Sequence, residues 1–114
     1  HLGWSAAMAP AIMGNADRPE LGKQLENSFC NTDPEIAREF ARVTFLSDNR
    51  ADLAAVQART LVLQCSNDII APVEVGAYVH SRLPNSQYKL LQACAHWPNL
   101  SAPRAVTGPV REFV

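Results

Sequence analysis

No run of lysine or arginine occurs in the chain, and 10 basic against 11 acidic residues leave a net charge of −1. That balance provides no electrostatic footprint for nucleic acid or an anionic membrane. Long hydrophobic runs are missing too. No apolar stretch approaches the roughly 18 residues that a membrane-spanning helix needs. No charged-then-apolar signal segment leads the chain. Cysteine is sparse: Cys30, Cys65 and Cys94 are odd in number, widely spaced and without a C-x-x-C pair. A disulfide framework or a structural zinc site is not expected from such spacing. Buried free thiols in a reducing cytoplasm fit it better. An initiator methionine is also missing, and His1-Leu2-Gly3-Trp4 reads as a chain cut from something longer. What remains is 114 residues, 47% hydrophobic and 18% charged, the make-up of one small globular domain.

Two halves differ in rhythm. Residues 1 to about 58 are helical in pattern, with no strand. Trp4, Met8 and Ala11 recur at helical spacing before Gly14-Asn15 ends the run. Asp17 and Glu20 form a D-x-x-E capping pattern ahead of an apolar face of Leu21, Leu25 and Phe29. Thr32-Asp33-Pro34-Glu35 is a second start signal, followed by a stripe of Ile36, Phe40 and Val43. A short helix is expected near Arg50 to Val56.

From Thr60 the pattern changes. Thr60–Cys65 is a short apolar run of the kind buried on both faces of a parallel sheet. Ser66-Asn67-Asp68 breaks it, and Pro72 opens a helix bearing Val75, Val79 and Leu83. Tyr88–Leu91 is a second strand, then a loop holds His96, and a last helix carries Val106, Val110 and Phe113. Strand, helix, strand, helix predicts a βαβα unit with parallel strands.

In open parallel sheets, functional groups gather beyond the carboxyl ends of the strands. Asp68 follows the first strand and His96 the second, so adjacent strands bring their loops together. A carboxylate that fixes an imidazole's tautomer, leaving the other nitrogen as general base, is the acid–base half of a serine hydrolase. Taken singly, each residue is ordinary. An Asp after a strand is commonly a turn or cap residue, and a histidine before Trp97-Pro98 is commonly a loop residue. Their joint placement at consecutive strand ends carries the functional reading. His80 falls on the intervening helix and reads as a solvated or half-buried side chain.

These segments carry a family resemblance. Leu63-Gln64-Cys65-Ser66-Asn67-Asp68-Ile69-Ile70-Ala71-Pro72 resembles the aspartate segment of the RsbQ-like α/β-hydrolases, bacterial stress-response regulators related to the plant karrikin and strigolactone receptors. Thr32-Asp33-Pro34-Glu35-Ile36-Ala37 and Phe45-Leu46-Ser47-Asp48-Asn49-Arg50 are similar to that family's lid helix and its return to the core. His96-Trp97-Pro98-Asn99-Leu100-Ser101-Ala102-Pro103 is similar to its histidine loop. The resemblance implies the C-terminal part of an α/β-hydrolase, with lid helices and return helix over residues 1–58 and the βαβα part of the core over 59–114. It implies Asp68 and His96 as catalytic residues and Trp4, Met8 and Phe45 as pocket-lining ones. From spacing alone those last three are only core-facing helical residues. Met8 stands where the family usually has Phe.

The chain departs from the family in places. Ala95 replaces the glycine that usually precedes the histidine, at a turn suited to positive φ. Asn99 stands where a second histidine is frequent, Gly108-Pro109 interrupts the last helix, and Arg104 occupies its first turn. Gly3-Trp4-Ser5-Ala6-Ala7 mimics a G-x-S-x-G elbow, but an elbow needs a strand running into it and Ser5 reads as helical. The nucleophilic serine is therefore expected outside this chain.

The resemblance implies hydrolysis of a small hydrophobic ester or lactone in a cytoplasmic stress-signalling regulator. It also implies a PAS-domain phosphatase as partner, and neither metal nor organic cofactor. A non-catalytic ligand-binding or signalling module, or an inactive fragment, is the alternative. Three expectations follow: an Asp68–His96 contact within about 2.6–3.2 Å, parallel pairing of the two strands, and no esterase activity from this chain alone.

Overall fold

The first three helices follow from local sequence, and proline sets where the second and third begin. The computed structural model describes residues 5–114, so Trp4 lies outside the described residues. Helix α1 spans Ser5–Met13 and stops at Gly14, whose φ of 57° is the left-handed geometry glycine adopts freely. Helix α2 spans Pro19–Cys30 and α3 spans Pro34–Leu46.

Both caps differ from expectation. Arg18, not Asp17, precedes α2 and supplies no side-chain cap, because Pro19 takes the first helical position. At α3, Pro34 likewise makes Asp33 the cap, and its carboxylate accepts from the Glu35 and Ile36 amides at 2.9 and 3.2 Å. Thr32 instead donates to the Ser28 carbonyl.

α1 and α2 form a hairpin around Ala9, Met13, Leu21 and Leu25, all buried. Ile12, Phe29 and Trp97 pack against this cluster. Gly22 admits Pro10 at the helix crossing, since a β-carbon there would approach Pro10 Cα to 3.2 Å. The Leu21–Leu25–Phe29 face is the expected one. The α1 face is not: Ala9 and Met13 point inward, while Met8 is 40% exposed. Apart from Ser5, α1 is apolar all round, so periodicity could not select its buried side.

A 3₁₀ turn, Arg50–Ala55, leads into the sheet. Strand β1 (Thr60–Asn67) and strand β2 (Ser86–Cys94) pair in parallel, Thr60 opposite Ser86 through Cys65 opposite Leu91. Each strand extends beyond its predicted run. Between them helix α4 (Val73–Arg82) packs on both strands. A single turn, α5 (Pro98–Ser101), and helix α6 (Pro103–Phe113) complete the chain, and α6 also packs on both strands. Helix α6 accommodates Pro109, and the Arg59 guanidinium lies 4.2 Å above the Phe113 ring at its end. His80 is half-buried, stacked on Tyr88 and hydrogen-bonded through Nδ1 to Ser86 Oγ at 2.7 Å. Of the cysteines only Cys65 is buried; Cys30 and Cys94 are exposed. Among the described residues no helix is long and apolar enough to cross a membrane.

Candidate active site

Asp68 and His96 meet at the carboxyl ends of β1 and β2. Near that end the strands change register: Cys65 faces Leu91, but Asn67 faces Cys94, leaving one extra residue in β2. A bulge of this kind re-aims the chain that follows it. His96 Nδ1 lies 2.8 Å from Asp68 Oδ2.

The Asp68 loop holds its carboxylate rigidly. Oδ1 accepts from the Ile70 and Ala71 amides at 2.8 and 3.0 Å, leaving Oδ2 for the imidazole. The side chain is 6% exposed. Burial pushes the carboxyl upward, but hydrogen bonds from Ala71, His96 and Ile70 outweigh it and hold it below its ordinary range. Asp68 is therefore ionised at neutral pH and can only accept. Nδ1 of His96 must then donate, and the neutral imidazole keeps its lone pair on Nε2.

Gln64 supports this loop from within β1. Its buried amide donates to the carbonyls of Cys65 and Ala71 at 3.0 and 2.8 Å. α4 makes room with Gly76, where a β-carbon would collide with the Gln64 amide oxygen and come within 3.0 Å of its Cβ.

The histidine loop is tied on several sides. Ala95 N–H donates to Asn67 carbonyl at 3.0 Å and His96 N–H to Ile12 carbonyl at 2.9 Å. Trp97 packs on the α1–α2 core and meets Phe29 edge-on, with centroids 6.4 Å apart. Ala95 is buried with φ 96°, the positive geometry anticipated for this turn. For a residue with a β-carbon it costs on the order of 1–3 kcal/mol.

Of the pocket residues expected from the sequence, Met8 and Phe45 fall within the described residues. Trp4 is outside the described residues. Met8 lies one helical turn before Ile12, on the same side of α1, and is partly exposed. Phe45, near the end of α3, is 82% exposed. A groove of about 620 Å³ lies elsewhere, between the 3₁₀ turn and α4, lined by Leu53, Val75, Tyr78 and Val79 among others. Arg50 and Glu74 also line it, and neither Asp68 nor His96 does. Sequence reasoning missed Gln64 and Gly76, for which a polar residue directly after an apolar run was the available signal. It also missed the Ile12 carbonyl, and it read Gly14 only as the end of its helix.

No family model matches the chain. Over 108 residues it is 32% identical to karrikin insensitive 2 receptor IA of Petunia hybrida, covering 94% of this chain and 39% of that receptor. It is 31% identical over 85 residues to a pimeloyl-[acyl-carrier protein] methyl ester esterase of Neisseria meningitidis, covering 75% and 33%. Among solved structures, a hydrolase from Oleispira antarctica superposes with a TM-score of 0.93 at 38% identity, covering 97% of this chain and 41% of that one. The chain thus spans about two fifths or less of the length of these relatives.

Proposed function

We propose, for a chain that carries the fold of the C-terminal part of an α/β-hydrolase, that it supplies the acid and base of a serine hydrolase. The observation that carries this reading is the 2.8 Å contact between His96 Nδ1 and the ionised Asp68 at adjacent parallel strand ends. Residues 1–58 act as lid and return, and residues 59–114 as core. The seryl nucleophile and oxyanion donors would come from the part of the relatives that this chain does not cover.

In that arrangement His96 Nε2 takes the seryl proton as the oxygen attacks the carbonyl carbon. The imidazolium, stabilised by Asp68, then gives its proton to the departing alcohol. Water repeats the sequence to release the acid. Similarity to a methyl ester esterase and a hydrolase supports a small hydrophobic ester or lactone as substrate. Met8 and Phe45, with Trp4, are proposed to face it.

The petunia receptor favours a second reading, in which the site serves a cytoplasmic signalling protein of the RsbQ type. A PAS-domain phosphatase is the partner proposed for that role. Turnover and signalling are compatible.

The test is turnover of a short-chain p-nitrophenyl ester by the full-length gene product that includes this chain. His96→Ala is expected to lower kcat by roughly 10⁶-fold and Asp68→Asn by roughly 10⁴-fold. Undiminished turnover in His96→Ala would falsify the assignment. The 114 residues alone are expected to give no turnover above buffer.

A further inference from the structure

Three consecutive residues of the histidine loop are each held by a separate contact. Ala95 is tied to the end of β1 through Asn67, His96 to α1 through the Ile12 carbonyl, and Trp97 to the α1–α2 core. Of these ties, the one to the base's own backbone comes from α1. Directly beyond it, Gly14 sits against the preceding residue. A β-carbon at Gly14 would lie 3.3 Å from Ala95 N, 3.4 Å from Ala95 Cα and 3.6 Å from Ala95 Cβ. Two residues at positive φ, Gly14 at 57° and Ala95 at 96°, therefore abut.

We infer that Gly14 and the Ile12 carbonyl form a positioning clamp, through which the C-terminal end of α1 sets where the His96 imidazole sits. The inference rests on the proposed role of His96 as general base. The reasoning is geometric. Ala95 occupies a backbone conformation that a residue with a β-carbon holds only under constraint. The constraint on its far side is the α1 terminus, which fits because residue 14 has no side chain. Asp68 fixes the ring's rotation through Nδ1, but the ring's position follows the backbone of residues 95–97. A ligand or contact that moves α1 would consequently move the base relative to Asp68. Misplacement on the scale of an ångström is enough to impair proton transfer.

Gly14→Ala, made in the full-length gene product, tests this. It places a methyl group against Ala95 while leaving Asp68 and His96 untouched. The expected result is a fall in kcat of roughly ten- to a hundredfold, with KM changed by no more than about twofold. The downfield Nδ1 proton resonance of the His96–Asp68 hydrogen bond should shift or broaden alongside. Adding Ala95→Gly frees that backbone and removes the facing methyl, and should restore most of the turnover and the resonance. Gly108→Ala is the control, because no atom lies within 4 Å of a β-carbon there. A Gly14→Ala protein that loses melting temperature but keeps kcat and resonance would reduce Gly14 to a structural residue. If Gly14→Ala does not fold, Gly14→Asn, a residue that tolerates positive φ better, places the same β-carbon against Ala95 and should move the same resonance. An unmoved resonance there overturns the clamp. The proton resonance does not depend on turnover, so absence of hydrolysis in the wild type would refute the proposed activity while leaving the clamp decided.

Discussion

Asp68 shows how one side chain can be both held and charged. Burial alone would favour its neutral form, yet three hydrogen bonds keep its carboxyl below its ordinary 3.8. A carboxyl lowered in the folded state adds stability that is complete above that unfolded value. The contribution is lost as pH falls through the lower folded value. In urea titrations, Asp68→Asn should be less stable than wild type by about 1–3 kcal/mol at pH 7. That gap should close as the pH is taken below 3.8. Asp48, held at about 2 chiefly by its side-chain bond to Arg50, is fully exposed and titrates in both proteins, so it cancels from the comparison. A gap that persists unchanged in acid would mean that the Asp68 charge contributes nothing to the loop.

At the level of elements, the fit between β1 and α4 governs the Asp68 loop. Gln64 is a buried polar residue directly after the apolar run Leu61–Leu63 of β1, and its amide reaches the Ala71 carbonyl across the loop. That geometry needs Gly76 opposite, because the Gln64 side chain occupies the space a β-carbon would take. Gly76→Ala should cost roughly 1–3 kcal/mol as an overpacked contact, although alanine favours helix intrinsically. Urea midpoints will check this, and Gln64→Ala in the same chain should recover part of the loss. An increase in stability from Gly76→Ala would show that Gln64 moves aside freely. The same strand explains which part of the site was legible. A polar residue after Leu61, Val62 and Leu63 was visible, but its partner across the helix was not.

For the molecule as a whole, the described residues build an open structure. The radius of gyration is 15.5 Å, against about 13 Å for a compact chain of this length. Two parallel strands leave each other's outer edges unpaired. α3 turns Ile36, Phe40, Val43 and Leu46 outward, each 63–76% exposed. Isolated, the 114 residues should self-associate at micromolar concentration and bind a hydrophobic dye. Ile36→Ser with Phe40→Ser should weaken that association while changing stability by no more than about 0.5 kcal/mol. Sedimentation velocity is the measurement, and a clean monomer of the unmodified chain would contradict the expectation.

What the sequence by itself determined is what short-range rules can encode. Alternating and continuous apolar runs marked both strands and the helix between them, and chain order placed Asp68 and His96 at neighbouring strand ends. The resemblance, rather than any local rule, marked the turn at Ala95, found at φ 96°. Proline positions carried the true helix starts, which capping patterns alone had put at Asp17 and Thr32. Tertiary structure decided the rest. The buried face of α1 depended on a partner, because a helix apolar on every side has no preferred one. The meeting of Asp68 with His96 at 2.8 Å required pairing across 28 residues and a register shift in β2. The hydrogen bond from His96 to Ile12 joins opposite ends of the chain. Contacts of that kind arise only when separately formed elements pack, and no local pattern records which elements they will be.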